Sequence, residues 1–164
     1  MSSTGIILKK KIDVEFARLI CDIKLAADKA GLEARIDSHV KKSYGGKEVY
    51  TRGNVADTYK DIPEAQQWYM YIHSGDEWGF FEYGDIREEE GMIRVVFIEG
   101  VSGCERILLD FLFEYFKLNP YDYFWLDGAK WHFTYEDIKK IKQNKFDPNW
   151  CNEDPHTETI REGY

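Results

Sequence analysis

Residues 92–118 read MIRVVFIEGVSGCERILLDFLFEYFKL, and this stretch decides the fold class. Met92 to Ile98 is a short run rich in β-branched and apolar residues, bounded by glycine, which predicts a strand. Gly100 and Gly103 interrupt it. Ser102 with Glu105 three residues later forms the S-x-x-E capping-box pattern of a helix start. From Gly103 to Leu118, apolar residues at 107, 108, 109, 111, 112, 113, 115, 116 and 118 leave only a narrow polar stripe of Asp110, Glu114 and Lys117. A helix apolar over so much of its circumference is buried on two sides or packs against a second molecule. The Phe111, Phe113 and Phe116 side is the candidate for self-association.

Toward the C-terminus, Asn119-Pro120 ends that helix. Tyr123 to Leu126, the Asp127-Gly128 pair and Lys130 to Phe133 predict a hairpin with a type I′ turn. Thr134 and Asp137 cap a last helix reaching about Gln143. Residues 144–164 hold two prolines and no sustained period, so an irregular arm anchored by Trp150 is expected beside a single domain over 1–143.

Toward the N-terminus, Trp68 to His73 and Trp78 to Tyr83 flank the turn Ser74-Gly75-Asp76-Glu77, and with Met92 to Ile98 they suggest an antiparallel meander. Alternation puts Tyr69, Tyr71 and His73 on one face and Trp68, Met70 and Ile72 on the other. Residues 38–64 are the least regular, with Gly45-Gly46 as the tip of a hairpin and Lys41, Lys42, Lys47 and Arg52 giving a basic projection that is either a functional loop or a solvated insertion. Ile6 to Ile12 predicts a first strand. Asp13 caps a helix whose apolar residues Phe16, Leu19, Ile20, Ile23, Ala27 and Ala30 recur at helical spacing, and Gly31 with Leu32 predicts a Schellman end. Leu32 to Val40 then runs extended. The element order predicts an α+β fold, a mostly antiparallel sheet with helices packed on one face. The Ile6–Gly31 and Ile93–Leu118 units fit either a ferredoxin-like or a duplicated strand–helix arrangement.

The composition bounds the function. The 164 residues are 43% hydrophobic and 16% aromatic, which excludes disorder and lets the chain fold without a cofactor. No apolar run approaches the ~18 residues of a membrane span, and Met1 to Lys11 is too short and charged for a signal peptide, so a cytoplasmic protein is expected. Cys21, Cys104 and Cys151 are read as free thiols, and Cys151, Asp154 and His156 lack the spacing of a metal site. Residues 1–60 carry 12 basic and 8 acidic residues and residues 61–164 carry 10 and 22, for a net charge of −8. That balance disfavours nucleic acid and favours a basic protein partner.

Two function classes remain. Trp78 and Tyr83 beside Asp85, Glu88, Glu89 and Glu90 resemble a protein-binding patch, in which rings anchor and carboxylates steer a basic partner; the leading expectation is therefore a non-enzymatic binding module of the inhibitor or immunity type. A solvated acidic turn is the plain alternative. The second class is a small-molecule-binding domain or enzyme, with a pocket between the sheet and the long apolar helix involving His73, Cys104 or His132: either imidazole can act as a general base, and a cysteine in a first helical turn has its thiolate stabilised. The rings of Tyr121, Tyr123, Phe124, Trp125, Trp131 and Phe133 are assigned to core or to the lining of an aromatic cleft.

Overall fold

The computed structural model describes residues 4–42, 49–57, 66–74 and 91–156. The chain begins with β1 (Gly5–Lys10) and continues with α1 (Phe16–Lys29), β2 (Glu33–Ile36), β3 (Lys41–Lys42), β4 (Val49–Ala56), β5 (Gln67–His73) and β6 (Met92–Glu99). After these come α2 (Glu105–Leu118), β7 (Tyr123–Leu126) and α3 (Tyr135–Gln143). Every strand pairing is antiparallel, in the order β2-β4-β5-β6-β1-β7, with β3 on the far end of β4. The fold is α+β. The subset β7-β1-β6-β5, with α1 leaving β1 and α2 leaving β6, has the strand order of a ferredoxin-like arrangement, and β4 and β2 widen it beyond β5.

The long apolar helix is buried by its own chain. Ile107, Leu108, Leu109, Phe111, Leu112, Tyr115 and Phe116 are buried; α1 and α3 pack on its flanks, and Phe111 meets Trp68 of the sheet edge-on at 5.4 Å. The self-association surface expected on Phe111, Phe113 and Phe116 is thus occupied within the monomer: Phe111 and Phe116 are core residues, and the half-buried Phe113 lies under the Lys117 ammonium at 4.3 Å. The tail adds to this core through Trp150, which packs on Phe124 and Phe133 and donates from its indole nitrogen to the carbonyl of Glu105.

Local signals fared unequally. Gly31 at φ 74° ends α1, with the Leu32 amide donating to Ala27 and the Gly31 amide to Asp28, the two bonds of a Schellman end. Thr134 and Asp137 form the complete capping box of α3. Asp13, by contrast, lies in a 3-10 turn over Lys11–Asp13, and Glu15 precedes α1 without a side-chain cap. The Ser102 box does not form either. Cys104 is the residue before α2, and Glu105 turns back to accept from the Gly103 amide instead.

Three sheet expectations need correction. Both sides of β5 and of β6 are taken, β5 by β4 and β6 by β1, so the two pair directly and no third strand of a meander stands between them. Trp78–Tyr83 and Gly45-Gly46 lie outside the described residues. Residues 49–56, expected to be irregular, are a full strand. Gly53 lies inside that strand, where a Cβ would stand 2.7 Å from the carbonyl oxygen of Arg35 on β2. At Asp127-Gly128 only the glycine has positive φ, which rules out type I′, and the returning arm pairs with β7 through Phe133 and Phe124 alone.

Candidate functional site

The residues of the acidic and aromatic patch, Trp78, Tyr83, Asp85, Glu88, Glu89 and Glu90, lie outside the described residues. The other three candidates are placed, and they are far apart. Cys104 sits before α2, buried, with its thiol donating to the Gln67 carbonyl at 3.1 Å. His73 is at the opposite end of β5, about 20 Å away along the strand. It stacks on Tyr50 at 5.6 Å and meets Phe97 edge-on at 5.2 Å. His132 lies against Tyr123 at 4.8 Å, with β6 and β1 between it and His73.

Their chemistry is equally dispersed. Burial pushes the Cys104 thiol above its ordinary value, and the Glu105 carboxylate adds to this while the bond to Gln67 opposes it. The helix start therefore does not activate this cysteine. Cys151, also buried, is pushed up to about 11. His156 meets Asp137 at 3.3 Å and Asp154 at 3.4 Å, and among the described residues no cluster of three or more His, Cys, Asp or Glu could hold a metal ion.

Two surfaces emerge instead. The first is the sheet face opposite the helices. Alternation along β5 turns Trp68, Met70 and Ile72 to the core, at 1% exposure or less, while Tyr69 is 55% exposed in the middle of the sheet. Register places Arg52 beside Tyr71, Asn54 beside Tyr69 and Arg35 beyond Asn54 on β2; Glu99 of β6 flanks Tyr69 on the other side. Together with Asp37 these side chains line a shallow depression of about 350 Å³. Two tyrosines, two arginines and two carboxylates on a rigid sheet form a surface of the anchor-and-charge kind that binds proteins.

The second is a polar cleft of about 350 Å³ where β1 ends, α1 begins and α2 stops, lined among others by Lys9, Asp13, Asp22, Asn119, Tyr121 and Asp122. Its floor is a buried ion pair. The Lys9 ammonium stands 3.0 Å from Asp122, with side chains 8% and 5% exposed, and also donates to Asn119. The Tyr115 hydroxyl, fully buried on α2, donates to the same carboxylate at 2.7 Å, on the Oδ2 oxygen that Lys9 also approaches. Burial pushes Asp122 up to about 6 against the lowering pull of Lys9 and of the Tyr115 hydrogen bond. Burial first, and the Asp122 charge second, hold Tyr115 well above the usual phenol range.

This group was invisible in the sequence. Lys9 and Asp122 are separated by 113 positions, and a lysine in a predicted strand or an aspartate between two tyrosines carries no local signature. The grouping of Tyr69, Tyr71 and His73 on one face, in contrast, follows from alternation, and the structure decides which face is exposed. Neither the family models, the curated proteins nor the solved structures compared with this chain include a match to it.

Proposed function

We propose that the protein is a non-enzymatic protein-binding module that holds a basic partner against the helix-free face of its sheet, in the manner of a small inhibitor or immunity protein. One observation carries the reading: Tyr69 is 55% exposed in the interior of an eight-to-seven-residue strand pair, left uncovered by the described residues, and Arg52, Tyr71 and Glu99 surround it. Tyr and Arg are the residues that most often dominate binding energy. The net charge of −8 supports a basic partner through steering over a longer range than contact. The Asp85, Glu88, Glu89 and Glu90 segment belongs to the same reading, as a source of that charge.

The test is retention of a stoichiometric basic protein from native-source lysate by immobilised wild type, compared with Tyr69→Ala and with an Asp85, Glu88, Glu89, Glu90 to Lys variant. Loss on Tyr69→Ala, with unchanged circular dichroism, supports the module and its surface. Equal retention by wild type and Tyr69→Ala overturns the surface, and no retention by wild type turns the weight to the second reading.

That second reading is a small-ligand site in the polar cleft. The buried Lys9–Asp122 pair and Tyr115 at its floor favour it, because ionisable groups with shifted proton affinity beside a cavity are a common mark of binding sites. Thermal-shift screening of wild type against Tyr121→Ala, an exposed residue of the cleft wall, tests it without disturbing the floor.

A further inference from the structure

The two edges of the sheet are finished differently. At β7 the returning chain closes the edge: Phe124 and Phe133 exchange both backbone hydrogen bonds, and the Trp125 indole donates to the Ala129 carbonyl. At the other end stands β2, four residues long. The Asp37 amide donates to the Arg52 carbonyl, so in an antiparallel ladder the bonded pairs continue at Arg35–Asn54 and Glu33–Ala56. Ala34 and Ile36 therefore point their amides and carbonyls away from β4, and among the described residues nothing meets them.

Exposed edges are often protected by charged side chains, which repel a second copy when they are of one sign. β2 does the reverse. Glu33 and Arg35 lie on the same face, opposite in sign, with side chains 44% and 70% exposed, and pair with each other at 2.9 Å. An antiparallel copy centred on Ala34 brings each Glu33 opposite the other copy's Arg35, and Ala34 bonds Ala34. Centring on Arg35 would oppose two guanidinium groups and is disfavoured. Centring on Ile36 would carry the pairing past the end of β2 onto Asp37 and Ser38, which are not in the strand.

We propose that the protein self-associates through β2, by antiparallel pairing with β2 of a second copy in the register that sets Glu33 of each chain opposite Arg35 of the other. The pairing makes one continuous sheet of the two molecules and joins their helix-free faces edge to edge, doubling the tyrosine surface. With only four residues a side the interface is small, so association is weak and dependent on concentration.

The experiment is sedimentation equilibrium of the full chain up to about 1 mM, with circular dichroism to check folding. Wild type is expected to dimerise. Glu33→Arg and Arg35→Glu each weaken the dimer about tenfold or more by opposing like charges, and the double variant Glu33→Arg/Arg35→Glu restores it, since the swap regenerates both cross-strand pairs. Ala34→Pro removes the outward amide, leaves the bonds to β4 in place and abolishes the dimer. A wild type that stays monomeric over the whole range overturns the proposal. So does a dimer that survives both single variants or is not restored by the swap.

Discussion

Trp68, Met70 and Ile72 on one side of β5 and Tyr69, Tyr71 and His73 on the other come from six consecutive positions and similar side-chain sizes, yet the first set is core and Tyr69 is half in solvent. β5 has neighbours on both sides, so the contrast does not arise from the sheet edge. It arises from what lies above each face. On the helix side Trp68 meets Phe111 of α2; on the other face His73 is packed between Tyr50 and Phe97, and exposure rises along the strand to Tyr69. A large ring on a strand face without cover contributes little to folding, and its retention there is what makes the face a binding surface in the proposed function.

The sharpest way to break this contrast is to truncate both sides of β5. Trp68→Ala is expected to destabilise the fold by about 3–5 kcal/mol in urea unfolding, as large-to-small changes at fully buried aromatic sites do, and a loss below ~1 kcal/mol would mean that the helix face is not the core. The buried floor of the cleft gives the next largest effect. Asp122 holds its proton more tightly when folded, up to about 6, so below about pH 4 protonation contributes its full stabilisation, which is then lost as pH rises through about 6. The difference is up to ~3 kcal/mol. Asp122→Asn, which cannot titrate, should remove that part of the pH slope between pH 4 and 7; an unchanged slope would place the titrating group elsewhere.

A smaller effect separates two helix starts that look alike in sequence. Thr134→Ala should cost about 1 kcal/mol, the usual value of a formed cap, whereas Ser102→Ala should change stability by less than ~0.5 kcal/mol because Ser102 makes no cap. Equal losses would show that Ser102 caps α2 in solution. The smallest effect is at Tyr69: Tyr69→Ala should leave the unfolding midpoint within ~0.5 kcal/mol of wild type while abolishing partner retention. A large loss of stability there would reveal hidden cover over the face and remove the basis of the proposed function.

The two capping motifs also show where sequence reading stops. Thr134-Tyr135-Glu136-Asp137 and Ser102-Gly103-Cys104-Glu105 have the same spacing, but Gly103 at φ 89° and the Cys104 thiol bonded to Gln67 pull the second start two residues past the motif's cap position. Gly53 is equally opaque from the sequence. Its meaning, a close approach to the Arg35 carbonyl, depends on a strand nearly twenty positions away in the chain.

The sequence by itself determined the strand at Met92 and the helix that follows it, the Schellman end at Gly31, the box at Thr134 and the division of β5 into two faces, because each depends on contacts within a turn or on a period of two or 3.6 residues. It therefore reached the α+β class and placed Tyr69, Tyr71 and His73 on one face. Only the tertiary structure decided that β5 and β6 are direct neighbours, that α2 is buried within its own chain, that His73, Cys104 and His132 share no pocket, and that Lys9, Tyr115, Asn119 and Asp122 meet at the floor of a cleft. Those outcomes depend on which distant elements pack together, and a hydrogen bond across 113 positions leaves no periodic trace in the chain that forms it.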